Sequence, residues 1–138
     1  MIQTDYPIHH GDYTRAGEAS ADIKRQLRQL GVGSATLRRI AVAAYEMELN
    51  IIIHSLGGSM TLVVDNDGIK LSSRDEGPGI PDVSKAMSEG FSTADEVARG
   101  LGFGAGMGLP NMRRNADQFE IESVMGQGTQ IRMLFLLT

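Results

Sequence analysis

Cysteine is absent from the 138 residues. That absence excludes disulfides, thiol nucleophiles and cysteine-ligated zinc, and it suits a reducing compartment. An excess of basic charge is also missing. The formal net charge is -4, whereas non-specific nucleic-acid binding requires a basic footprint. Apolar runs are short, as in "MLFLL" at 133–137, far below the roughly 20 residues that span a bilayer. The opening "MIQTDYPIHHGDY" has neither a basic start nor an apolar stretch. No signal peptide and no membrane association are therefore expected, and the cytoplasm is the expected compartment. No Gly-Lys pair occurs, which removes the phosphate-binding loop G-x-x-x-x-G-K-[ST]. The length fits one domain over residues 1–138 with a real core.

Two residue types are plentiful: 17 glycines and 8 methionines. The methionines read as core filler, whereas the glycines cluster and need a positional reading. "IQTDYPI" reads as an edge strand, where Pro7 is tolerable. "RAGEASADIKRQLRQLG" reads as a helix with Ala19, Ile23, Leu27 and Leu30 on one stripe and Gly31 as its stop. "SATLRRIAVAAYEMELNIIIHSLGG" reads as a longer helix, with Ser34 as N-cap, Gly57-Gly58 at its end, and a core face of Leu37, Ile40, Ala44, Met47 and Ile51. "MTLVVDNDGIKLSSRDEG" reads as a β-hairpin turning at "NDG". A short helix "VSKAMSEGF" and a long glycine-rich loop follow. Then come a helix "LPNMRRNA" with Pro110 in its first turn and a hairpin, "QFEIESV" and "GTQIRMLFLL", joined by "MGQG". This order predicts an α+β fold. It would be a two-layer α/β sandwich with helices on one face of a mixed, largely antiparallel sheet.

Three stretches could carry chemistry. Glu46 and Asn50 are four apart and share a helix face with Arg39, Val42 and Ile53. A carboxylate among such neighbours suits a general base or a hard-metal ligand, although the pair also fits a solvated polar face. His54 would extend the row, but asparagine is a poor zinc ligand. "DEGPGI" ends the first hairpin. Its glycines and proline are explained by a turn alone, but Asp75 closes a strand, where acids are depleted. An aspartate there can accept a hydrogen bond from an exocyclic amine while the glycines admit a flat ring. "GLGFGAGMGLPN" alternates five glycines from Gly100 to Gly108 just before a helix. Converging backbone N–H groups and a helix N-terminus bind anions; a flexible linker is the alternative reading.

The order E-x-x-x-N helix, D-x-G-x-G after a strand, glycine-rich run before a helix and "GQGT" before the last strand resembles the GHKL ATP-binding fold. That superfamily of histidine kinase-like ATPases includes gyrase, Hsp90, histidine kinases and MutL-type ATPases. The resemblance covers residues 36–136. "GMGLPNMRRNADQFEIES" and "GQGT" are similar to the small bacterial serine/threonine kinases and anti-sigma factors of partner-switching systems. The resemblance implies Mg²⁺ and ATP as cofactors. Asn50 would bind Mg²⁺, and Glu46 would be the general base. Asp75 would bond the adenine amine, with Gly77, Gly79 and Ile80 lining the base pocket and Thr129 assisting. Gly102, Gly104, Gly106 and Gly108, with Leu109, would close over the phosphates. The implied activity is phosphorylation of a STAS-domain antagonist (anti-anti-sigma) protein. The alternative is an ATP-gated anti-sigma module that sequesters its partner with little or no transfer. A sigma factor or other regulator and a second copy of the chain are further partner candidates.

Overall fold

The computed structural model describes residues 1–80, 83–87 and 108–137. Five strands form one sheet in the order β1-β2-β3-β5-β4: β1 (Ile2–Ile8), β2 (Gly58–Asp65), β3 (Gly68–Asp75), β4 (Gln118–Val124) and β5 (Gly128–Phe135). Every pairing among the described residues is antiparallel, so no parallel component appears in this α+β sandwich. The hairpin read from "NDG" has Asp65 paired with Gly68 across a two-residue turn. Alternation sets the two faces. Met60 and Leu62, Ile69 and Leu71, and Ile131, Met133 and Phe135 point into the core. The opposite face is polar, with Arg132 bonding Glu120 and Glu122 on the neighbouring strand.

The helices α1 (Glu18–Gln29), α2 (Ser34–His54), α3 (Val83–Ala86) and α4 (Gly108–Asn115) follow the predicted order. Helix α2 is central and packs against both α1 and α4. Its 21 residues bury Ile40, Ala43, Ala44 and Met47 completely, as expected of a helix covered on several sides. Met47, Met60, Met112 and Met133 all lie in the core. No helix of the described residues is long and apolar enough to cross a membrane.

Several element boundaries differ from expectation for local reasons. Gly17 has φ +99, so α1 starts at Glu18 rather than Arg15, and Tyr13–Arg15 forms a separate 3-10 turn. Leu30 is 48% exposed rather than part of the core stripe, because the helix has ended and Gly31 already turns at φ +87. Ser34 is the first residue of α2, not its cap; Gly33 holds the cap position without a side-chain bond. Helix α2 stops at His54, where the Ser55 hydroxyl donates to the Ile51 carbonyl and accepts from the Gly57 N–H. Gly58 therefore belongs to β2, and Gly108 rather than Leu109 opens α4.

Candidate functional site

Helix α2 presents Glu46 and Asn50 toward α4. A Cβ built on Gly108 would lie 3.3 Å from Glu46 Oε2 and 3.4 Å from Asn50 Oδ1. The first residue of α4 thus touches both polar groups, and any larger residue would press on them. Glu46 is only partly exposed. Burial pushes its carboxyl above the ordinary carboxylate range, partly offset by a hydrogen bond from Asn111 Nδ2 to Oε1 at 3.4 Å. Leu109, Pro110 and Met112 are buried, anchoring α4 on the core. From the other end of the helix, Arg39 donates to the Asn115 carbonyl at 2.9 Å and pairs with Asp117 at 3.2 Å. Both ends of α4 are therefore fastened to α2.

Asp75 sits beyond the C-terminal end of the same helix. The strand that ends in Asp75 runs on to Gly77, where a Cβ would come within 3.2 Å of Ser55 Cα, and Leu56 N–H donates to the Glu76 carbonyl at 2.7 Å. The turn is strapped to the β4–β5 connection. Gly77 N–H donates to Gln127, Gly126 N–H to Pro78, and Ile80 N–H to the Ser123 hydroxyl. Gly79 has φ +78, and a Cβ there would meet the Val124 carbonyl at 2.7 Å. Gly128 has φ +144 and would place a Cβ 2.1 Å from the Asp75 carbonyl. Both positions require glycine, for conformation and for space. The close approach at Gly128 brings Thr129 N–H within 3.0 Å of Asp75 Oδ1. The Thr129 hydroxyl lies 3.0 Å from that of Ser123. Burial pushes the Asp75 carboxyl upward, partly offset by the Thr129 bond. Its Oδ2 has no hydrogen bond among the described residues, leaving one acceptor oxygen available.

Glu46, Asn50 and Gly108 thus meet at one place on α2, while Leu109, next in the chain, is buried in the hydrophobic core. Asp75, Gly77, Gly79, Ile80 and Thr129 meet at another, just past its end. Asn50 and Ser55 are five residues apart, roughly 7–8 Å along the axis, so the two groups adjoin. Gly102, Gly104 and Gly106 lie outside the described residues. Among the described residues, no three His, Cys, Asp or Glu side chains cluster as a metal cage. An asparagine oxygen beside a partly buried carboxylate is a hard donor set. It suits Mg²⁺, which normally completes its shell with water and substrate phosphates.

Glu46 and Glu48, two residues apart, project about 160° from each other around α2. Glu48 turns away and is 2% exposed. Its carboxylate accepts from the backbone N–H groups of Gly17, Ala19 and Ser20 at 3.0, 3.3 and 3.0 Å, capping α1 from across the fold. Sequence reasoning missed this cap and also missed Asn111. The signal for Asn111 was its position three residues after Gly108, which puts both on one face of α4.

Residues 11–135 match the histidine kinase-like ATPase domain. The chain is 37% identical over 111 residues to the serine/threonine-protein kinase RsbT of Bacillus subtilis, covering 78% of this chain and 77% of that one. It is 36% identical over 116 residues to an anti-sigma F factor of Caldanaerobacter subterraneus, covering 84% and 69%. It is 35% identical over 99 residues to an anti-sigma F factor of a Thermoanaerobacter species, covering 68% and 66%. The chain thus spans about two thirds to three quarters of these relatives' lengths. A matched region of that extent, with the helix, turn and hairpin residues in one neighbourhood, makes the chain a member of the histidine kinase-like ATPase domain family.

Proposed function

We propose that this chain is a Mg²⁺- and ATP-dependent protein serine/threonine kinase acting on a STAS-domain antagonist protein. The observation that carries the reading is the approach of Gly108, at the start of α4, to both Glu46 and Asn50. A helix N-terminus beside a hard oxygen ligand and a partly buried carboxylate combines the parts phosphoryl transfer needs: positioning, charge neutralisation and a base. Asn50 Oδ1 would hold Mg²⁺, which supplies charge neutralisation at the phosphates when bound. Glu46 accepts the proton of the substrate hydroxyl as the new oxygen–phosphorus bond forms and ADP leaves. Its upward shift suits that task, since a base works best with a pKa nearer the working pH. Asp75 Oδ2 accepts from the adenine amine, while Thr129 N–H fixes the carboxylate through Oδ1. Gly77, Gly79 and Ile80 would line the base, and Gly108 and Leu109, with Gly102, Gly104 and Gly106 from outside the described residues, would contact the phosphates.

A second reading is an ATP-gated module that captures a sigma factor or other regulator without transfer. It is favoured by the relatives that are anti-sigma F factors. The experiment that separates the two uses γ-labelled ATP and a STAS-domain protein from the same genome. Label transfer that falls by about a hundredfold or more in Glu46→Ala, with ATP still bound, supports the kinase. ATP-dependent partner capture without transfer supports the module, and absence of ATP binding refutes both.

A further inference from the structure

The two oxygens of Glu46 have different surroundings. Oε2 faces Gly108, at the first residue of α4, and Oε1 accepts from Asn111 Nδ2 at 3.4 Å. Asn111 is itself held. Its Oδ1 accepts from Arg114 at 3.3 Å, and its carbonyl accepts from the Asn115 amide at 2.8 Å. With Oδ1 engaged by Arg114, the Asn111 amide presents its N–H donors toward α2. A carboxylate on a helix otherwise has several rotamers, and only some would aim a free oxygen at a reacting hydroxyl.

We propose that Asn111 is a positioning residue for Glu46. Its amide pins Oε1 and leaves Oε2 beside Gly108 to take the substrate proton, so the base is oriented only while α4 is seated on α2. The inference rests on Glu46 acting as the general base. A 3.4 Å separation is long for an N–H···O bond, and such bonds commonly tighten once substrate is bound. The device joins the base to α4, whose first residue also approaches Asn50.

The test is a double-mutant cycle read by label transfer to the STAS-domain protein used above. Asn111→Ala should lower kcat by about tenfold, the order expected for losing orientation of one catalytic group, while the Kd for Mg-ATP stays within about threefold. In a Glu46→Gln background the same substitution should change the residual rate by less than about twofold, because the positioned group is gone. Asn111→Gln, which keeps the donor, should recover part of the rate. An unchanged kcat in Asn111→Ala overturns the inference. So does an equal loss in the Glu46→Gln background, which would mark a general structural role. A large rise in Kd also overturns it, since Asn111 would then be a nucleotide contact. If the wild-type protein transfers no label, the base assignment fails and the inference falls with it. If wild type and Asn111→Ala transfer equally, the inference alone fails. Alanine is the better helix former at this position, so loss of folding is not the expected cause of any effect.

Discussion

Two glutamates two residues apart on α2 should respond oppositely to the same isosteric change. Glu48 is buried and accepts three backbone N–H groups at the start of α1. Glutamine there keeps one acceptor oxygen, but turns an NH₂ group toward donors that already need acceptors. A hydrogen bond to a charged group contributes about 1.5–3 kcal/mol. The three are not additive, and water can reach the half-buried Gly17. The expected loss for Glu48→Gln is therefore about 2–3 kcal/mol, the upper part of the range for a hydrogen bond to a charged group. For a chain of this length that is a fall in Tm of roughly 6–10 °C. Glu46 stands in the opposite situation, because burial raises its carboxyl. The native state binds that proton more tightly than the unfolded chain does. Ionised Glu46 therefore opposes folding at neutral pH, and the opposition fades as pH falls through the raised folded pKa. Glu46→Gln removes it, retains an acceptor for Asn111, and should leave the protein equally or more stable at pH 7. The advantage should shrink as pH falls toward the ordinary carboxylate range. Urea titration with an unchanged m value, repeated at several pH values, measures both. A Glu48→Gln protein within about 0.5 kcal/mol of wild type, the spread of ordinary surface changes, would refute the capping argument. Equal destabilisation of both variants would refute the distinction between them.

Asp75→Asn should weaken ATP binding about tenfold or more by isothermal calorimetry, since an amide that turns its NH₂ toward the adenine amine repels it; unchanged affinity would remove Asp75 from the base pocket. Gly108→Ala should stay within about 1 kcal/mol of wild type in stability, because the helix propensity alanine adds is smaller at the first residue than in an interior and is offset by crowding. Its Cβ would stand 3.3–3.4 Å from Glu46 and Asn50, so nucleotide affinity should fall, as a fluorescent ATP analogue would report. Gly79→Ala combines a φ of +78 with a 2.7 Å approach to the Val124 carbonyl, and a loss of about 1–3 kcal/mol is expected in thermal melts. The Asp22 carboxyl is lowered to about 2 by Tyr6, Arg25 and Gln26. A lowered carboxylate contributes stability above its unfolded pKa and loses it as pH falls through the folded value. Asp22→Asn should therefore flatten the wild-type loss of stability between about pH 4 and 2, seen by acid titration of the circular dichroism signal.

The element order and the core faces were legible because they depend on periodicity. Ile23, Leu27, Ile40 and Met47 recur at helical spacing and are fully buried, and the alternation in β3 and β5 sorts their side chains without tertiary information. The caps were not legible. Ser34 has the right chemistry for an N-cap, yet Gly33 occupies that position. The carboxylate that does cap α1 comes from Glu48, 28 to 31 residues away, a distance no local rule covers. Leu30 fitted the stripe by spacing but falls past the last turn, where the left-handed Gly31 reverses the chain. At the candidate site, Asp75 and "GQGT" are 51 residues apart in sequence, counting from Asp75 to Gly126. Their contact depends on β3 pairing with β5, which composition alone does not specify. The order of motifs carried that information through family resemblance.

Helical phase explains how one segment can be both frame and site. Glu46 and Glu48 are about 160° apart around the axis, so α2 meets α1 with one acid and α4 with the other. The side facing α1 has its carboxylate fully supplied with N–H donors. The side facing α4 has a carboxylate that is partly dry and, among the described residues, is supplied by one long bond from Asn111. An incompletely satisfied, partly buried carboxylate opposes folding, and such groups persist where function uses them. Asp75 shows the same pattern at the end of the helix: raised by burial, with one oxygen held by Thr129 and the other without a partner among the described residues. Glu46 beside Gly108 and Asp75 just past the end of α2 are both partly buried, and each keeps one oxygen without a protein donor among the described residues that solvent still reaches. On the proposed reading, the ligand would supply a hydrogen-bond donor to Asp75 and the substrate hydroxyl a proton to Glu46.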